Sequence, residues 1–223
     1  MKFNVIGLKE NKEIEIKPDH VYVVGYSGSN KDKTWEHINE LERELGVTPP
    51  PHIPTLFEVA REMVTQDKDL FFCGEKTSGE CEYIIIKIHG IIYIGLGSDH
   101  SDRELEADSV PKAKQICLKP ISKEIWLYDD IKDHFKEIEL NSKSDNEDYQ
   151  KGTLADILSV EEIIKELEDR VDTIDNCIIY SGTVPVLSGF KFGKNFYLEL
   201  VDKKLNRKIS FDYNVNIIPD EAR

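Results

Sequence analysis

The chain has little of what would place it in a membrane, outside the cell or on nucleic acid. No apolar run reaches membrane-spanning length, because Lys87 and His89 interrupt the longest one. Met1-Lys2-Phe3-Asn4 leads into a short strand-like piece and a charged run, without the apolar stretch of a secretory leader. Only four cysteines occur (Cys73, Cys81, Cys117, Cys177), with no C-x-x-C pair and no zinc spacing. They read as free thiols, so a reducing, cytoplasmic location is expected. No basic cluster offsets the net charge of −14, which repels polyanions, so nucleic acid is not expected as a partner. Internal repeats and low-complexity segments are also missing. "GYSG" at 25–28 lacks G-K-[ST] and is read as a loop leading into a helix, not a phosphate cradle.

What is present fits a soluble globular chain. With 223 residues, 39% of them hydrophobic, it can bury a sizeable core. Residues 1–66 are expected as an N-terminal β/helix subdomain and 67–223 as the main core. Strand patterns fall at 2–6, 12–16, 20–25, 121–127, 136–141, 176–181, 195–201 and 207–215. Trp35, Ile38, Leu41 and Leu45 form one face of a helix that stops at Gly46, and "TPPPHIP" is a stiff connector. Ser101 with Glu104 predicts a capping box, "NSKSDNEDYQKG" a mobile polar loop, and 154–168 a helix. The expected class is α+β, rich in β-structure, with few helices.

The stretch "TSGECEYIIIKIHGIIYIGLGSDHSDRELE" (77–106) carries the chemistry. A two-residue turn at His89-Gly90 sets Glu82 opposite Gly97 and Glu80 opposite Asp99. Side chains alternate along a strand, so the three carboxylates share one face with Ile84, Ile86 and Ile88. Gly95 and Gly97 are expected to leave room above them. Three acids at the end of an apolar face need a counter-charge. Two readings stand: a hard divalent ion, Mg²⁺ or Mn²⁺, or a strand end whose acids face water or pair with Lys112 and Lys114.

The order E-x-E, strand-turn-strand, "SDHSDRELE", "AKQICLKP", "KGTLADILSVEEIIKEL" and "CIIYSGTVPVLSGFKFGKNFYLEL" resembles the fumarylacetoacetate hydrolase superfamily, from about residue 22 onward. That resemblance implies a mixed β-sandwich or β-roll with a few short helices. It implies Mg²⁺ (or Mn²⁺) on Glu80, Glu82 and Asp99. His37 and Glu40 match a catalytic H-x-x-E pair in which Glu40 orients the imidazole; alone, His37 reads as a surface histidine. Lys114 matches a lysine that approaches a substrate carbonyl or carboxylate; alone, it reads as a salt bridge. Arg103 matches an arginine that follows the metal aspartate. Gly182 and Thr183 match a Gly-Thr pair that binds the substrate's carboxylate end.

The implied activity is a metal-dependent hydrolase or lyase that cleaves a carbon–carbon bond of a 2-oxo acid or acylpyruvate-type 1,3-dicarbonyl. The same parts serve decarboxylation, isomerisation or hydration, and a homodimer is implied. A rival from another class is a non-catalytic metal- or ligand-binding protein that keeps the fold. A cupin-like oxygenase is set aside because no H-x-H exists. Departures point to an altered substrate pocket: "GTVPVLSG" lacks the usual G-V-G, "TLFEVARE" stands where L-F-x-K-P is usual, and His100 follows Asp99.

Overall fold

Tyr83, Ile84, Ile85 and Ile86 are consecutive, and all four are fully buried. Alternation sends them to opposite faces of one strand, so both faces are covered. Tyr83 and Ile85 join one apolar cluster, Ile84 and Ile86 another. At ~1.5–3 kcal/mol for each fully buried large apolar side chain, these residues anchor the hairpin in the core. The computed structural model describes residues 1–45 and 48–221, without the side chains of His37, Glu40, Leu41, Glu44 and Leu45.

An eight-stranded mixed sheet runs in the order Asn11–Glu15, Lys2–Ile6, Glu124–Leu127, Ile91–Ser98, Cys81–Ile88, Cys177–Thr183, His20–Gly25, Thr55–Val59. Strands from residues 1–66 thus share this sheet with strands from the rest of the chain. A five-stranded sheet, in the order Glu147–Thr153, Glu139–Ser144, Asn195–Asp202, Arg207–Ile218, Asp69–Cys73, packs against it. Tyr83, Ile85 and Leu96 from the first meet Phe72, Leu198 and Tyr213 from the second in the shared core. On the far face, Phe3, Val5 and Val59 come from strands near opposite edges, yet they cluster with Ile84 and Ile178. With 46% strand and 21% helix, the architecture is the β-rich α+β sandwich and roll that the motifs implied. No described helix is long and apolar enough to cross a membrane.

Several local expectations are corrected. The segment 141–152 is no mobile loop but most of a hairpin, Glu139–Ser144 with Glu147–Thr153, turned at Asp145 and Asn146, which both have positive φ. The buried positions of 141–152 are Ser142, Ser144, Tyr149 and Gln150, so three of the four were written in polar residues. The helix expected over 154–168 is a 3₁₀ turn at Leu154–Asp156 followed by a helix at Val160–Glu168. Ser159 and Glu162 form a capping box that starts the true helix. Asp102, not Ser101, caps Arg103–Glu106, accepting from the N–H groups of Glu104 and Leu105. Gly97 does not leave open space: a Cβ there would lie 2.8 Å from Ile84 and 3.0 Å from Tyr180.

A buried charge network ties the 3₁₀ segment Lys132–Glu137 to the five-stranded sheet. His134 Nε2 lies 3.0 Å from Asp202 Oδ1, Leu205 N–H donates to the same oxygen, and Arg207 Nε donates to Oδ2 at 3.3 Å. Burial works to raise the Asp202 carboxyl, but the hydrogen bonds from His134 and Leu205 hold it below its ordinary value. A carboxyl with a lowered folded pKa stabilises the fold above its unfolded value, and that contribution fades as pH falls through the folded one. Asp202→Asn should therefore cost ~3–5 kcal/mol at pH 7 in chemical denaturation. The gap to wild type should close below about pH 4; a gap independent of pH would deny the ionic role.

Candidate functional site

The turn at His89 (φ 49°) and Gly90 (φ 77°) has the left-handed geometry of a two-residue hairpin. It fixes the register at Ile88 opposite Ile91 and Glu82 opposite Gly97. Past the ladder's end, Asp99 N–H donates to the Glu80 carbonyl at 3.0 Å. Glu80, Glu82 and Asp99 accordingly converge, with one carboxylate oxygen from each within 4.8 Å of the others. Glu82 and Asp99 are almost fully buried, while the Glu80 side chain keeps 19% exposure.

Three cations touch this cluster. Arg103 reaches Glu80 at 3.3 Å and Glu106 at 2.8 Å, and donates to the Ser78 carbonyl. Lys114, from the short helix Val110–Gln115, is ion-paired with Asp99. Lys119 lies 3.1 Å from the other Asp99 oxygen and donates to the His100 carbonyl. Lys112, named with Lys114 as a counter-charge, is exposed, and the buried partner is Lys119 instead. Its signal was a lone charge in the otherwise apolar "ICLKP". Glu106 was also missed, although its i+3 spacing from Arg103 was legible.

The electrostatics divide the trio. Burial alone would raise Asp99, but the ammonium groups of Lys114 and Lys119 hold it well below the carboxylate range. Glu82 goes the other way, pushed well above its ordinary value by burial and then by the neighbouring Asp99 and Glu80. Its named contact is the Gly182 N–H, donating to Oε2 at 2.9 Å, and among the described residues it has no ion-pair partner. A hard divalent cation fits this donor set. All three ligands are oxygens, and the two lysine contacts leave lone pairs on Asp99. The least compensated carboxylate, Glu82, is as fully buried as Asp99. Glu80, Glu82 and Asp99 are the residues that would hold the ion.

The profile of the family described as "Protein of unknown function (DUF2848)" matches residues 24–213. The chain belongs to that family. No curated protein matches it. Among solved structures, 5-carboxymethyl-2-hydroxymuconate delta-isomerase from Mycobacterium smegmatis is 12% identical, with 100% of each chain covered and a TM-score of 0.64. A 2-keto-3-deoxyarabinonate dehydratase is 19% identical, covering 91% of this chain and 75% of its own, with a TM-score of 0.66. A yeast protein of the fumarylacetoacetate hydrolase family is 14% identical over 92% of this chain and 97% of its own, with a TM-score of 0.66. At such identities the likeness is one of fold. DUF2848 as represented here has the fumarylacetoacetate hydrolase fold, the branch to which the motifs pointed.

The other expected residues of this DUF2848 chain fall in different places. Thr183 lies beside the cluster, but its hydroxyl proton goes to the Cys81 carbonyl at 2.6 Å, and its oxygen accepts from Gln150 at 2.6 Å. That leaves the hydroxyl no proton for a substrate carboxylate. Gln150, unforeseen in the sequence, also accepts from Cys81 N–H and donates to the Val184 carbonyl. His100 is turned between the sheets: Nδ1 meets the Tyr213 hydroxyl at 2.9 Å and the ring stacks on Phe72. Burial, then Lys119 and Arg103, push its pKa well down. His37 and Glu40 both lie on the helix Lys31–Leu45, but their side chains are outside the described residues. The "GYSG" loop before that helix bends through Tyr26 at φ 54° and packs Ser27 against Gly182.

Proposed function

We propose that this protein is a metal-dependent enzyme acting on a 2-oxo acid of the acylpyruvate class, cleaving a carbon–carbon bond. The observation that carries the proposal is the convergence of three carboxylate oxygens within 4.8 Å, one of the two fully buried groups, Glu82, being without a cationic partner among the described residues. A bound Mg²⁺ or Mn²⁺ would supply Lewis acidity for negative charge developing on the oxygens of the oxo acid. Lys114 and Lys119 act through Asp99, keeping it ionised and fixed. Arg103 fixes Glu80, and the Gly182 N–H orients Glu82. His37, steadied by Glu40 one helical turn on, takes a proton from the attacking water. Such a base contributes ~10²–10⁴-fold, so His37→Ala should lower kcat by that factor while calorimetric metal affinity is retained.

A specific observation favours a second reading, a binding protein without turnover: both Asp99 oxygens are held by lysines, and the Thr183 hydroxyl is committed to the backbone. The two are separated by assaying the purified protein with Mg²⁺ or Mn²⁺ against acylpyruvates and oxaloacetate, with and without chelator. Turnover that the chelator abolishes supports the enzyme. Tight metal retention with no turnover anywhere supports the binder.

A further inference from the structure

We infer that the substrate carries a single carboxylate, on its 2-oxo acid head, and that its other end is apolar, seated against Phe190 and Phe57. This specificity rests on the function proposed above and deepens it.

The cations at the cluster are spent. Arg103, Lys114 and Lys119 oppose four carboxylates (Glu80, Glu82, Asp99 and Glu106), and their side chains are 6%, 6% and 0% exposed. None of the three is turned outward to receive a second substrate carboxylate. A carboxylate brought beside them would meet Glu80 and Glu106 instead, and an unpaired charge in a partly buried site is costly.

Two of these cations lie against aromatic rings. The Phe190 ring lies over the Arg103 guanidinium, with its centroid 4.3 Å from Cζ. The Phe57 ring is 5.6 Å from the Lys114 ammonium. Phe57 is half-buried, but Phe190 keeps 42% exposure, with Leu187 and Phe192 nearby in sequence at 54% and 45%. Three large exposed apolar side chains thus fall within six residues, and one of them, Phe190, stands directly over the arginine of the acid cluster, the kind of exposed apolar residue that marks a binding surface. Phe190 and Phe57 rest on side chains that themselves hold Glu80 and Asp99, so a head group at the carboxylates places its far end among these rings. An aryl or branched-alkyl group there is favoured because its apolar surface leaves water.

Calorimetric titration in the presence of Mg²⁺ or Mn²⁺ tests this with three probes: pyruvate (head only), phenylpyruvate (head and ring) and 2-oxoglutarate (head and second carboxylate). Phenylpyruvate is expected to bind at least tenfold more tightly than either of the others. In Phe190→Ala, whose folding is checked by an unchanged melting temperature, the ratio of phenylpyruvate to pyruvate affinity should fall towards one. The inference is overturned if 2-oxoglutarate binds as tightly as phenylpyruvate, which would implicate a further cation such as Lys76 above Phe192. It is also overturned if Phe190→Ala keeps the preference. Failure of all three probes with metal bound would overturn the proposed function as well, and is distinguishable because pyruvate reports the head site alone.

Discussion

Glu82→Gln is expected to abolish tight divalent-ion binding and to leave the metal-free protein at least as stable as wild type. Both halves follow from the position of one carboxylate. Glu82 is 2% exposed, faces Asp99 and Glu80, and is compensated by a backbone N–H where its neighbours have ammonium and guanidinium groups. Its raised pKa means that ionisation opposes the metal-free fold, increasingly as pH rises above the ordinary carboxylate range. Glutamine keeps the acceptor for Gly182 and removes that opposition, so any gain appears at pH 7 and vanishes towards pH 4. With metal the sign reverses. An ion at 100 times its dissociation constant stabilises by about 2.7 kcal/mol, which for a chain of this size raises Tm by about 5–10 °C. Wild type should show that shift in calorimetry with Mn²⁺ or Mg²⁺, and the variant none. Loss of folding in the metal-free variant would make Glu82 a structural residue, and an undiminished Tm shift would remove it from the ligand set.

Gly182→Ala is expected to be among the most damaging single-methyl additions in the chain. Gly182 holds φ at +88°, where an L side chain is strained. A Cβ at this position would overlap the Ser27 hydroxyl and lie 2.9 Å from the Val24 carbonyl oxygen, which is backbone and cannot rotate away. Strain and overlap together should cost ~3 kcal/mol or more, read as a fall in Tm of about 6–12 °C. Any relaxation also moves the N–H that orients Glu82, so metal affinity should fall with stability. Ser27 Oγ is buried without a hydrogen-bond partner, so Ser27→Ala alone should be nearly neutral. In the Gly182→Ala background it should recover part of the loss. No recovery would place the strain in the backbone alone.

How much of this was readable beforehand differs from element to element. The hairpin was legible because its turn, its apolar run and its acids all obey short-range rules: Gly90 for positive φ, a period of two, residues opposed by counting outward from the turn. The hairpin at 139–153 was not, because beside Leu140 and Tyr149 its buried positions are Ser142, Ser144 and Gln150, polar residues whose burial depends on partners elsewhere in the chain. Gln150 is tolerable inside only because Cys81, Ser142, Thr183 and Val184 satisfy it. Lys119 was overlooked for the same reason, since nothing local says that Asp99 waits 20 residues earlier. The helix start at Val160 could have been read from Ser159 and Glu162, but the apolar spacing of Leu154, Ile157 and Leu158 fitted a longer helix equally well.

The sequence alone determined the class of fold, the hairpin register and the gathering of Glu80, Glu82 and Asp99, because a turn and an alternating strand leave the chain few choices. Only the tertiary structure decided how that charge is shared. Lys114 and Lys119 come to Asp99, Arg103 to Glu80, and Glu82 receives a lone N–H from a strand a hundred residues away. Coulombic compensation and desolvation are set by distance in space, and spacing along the chain carries no record of it.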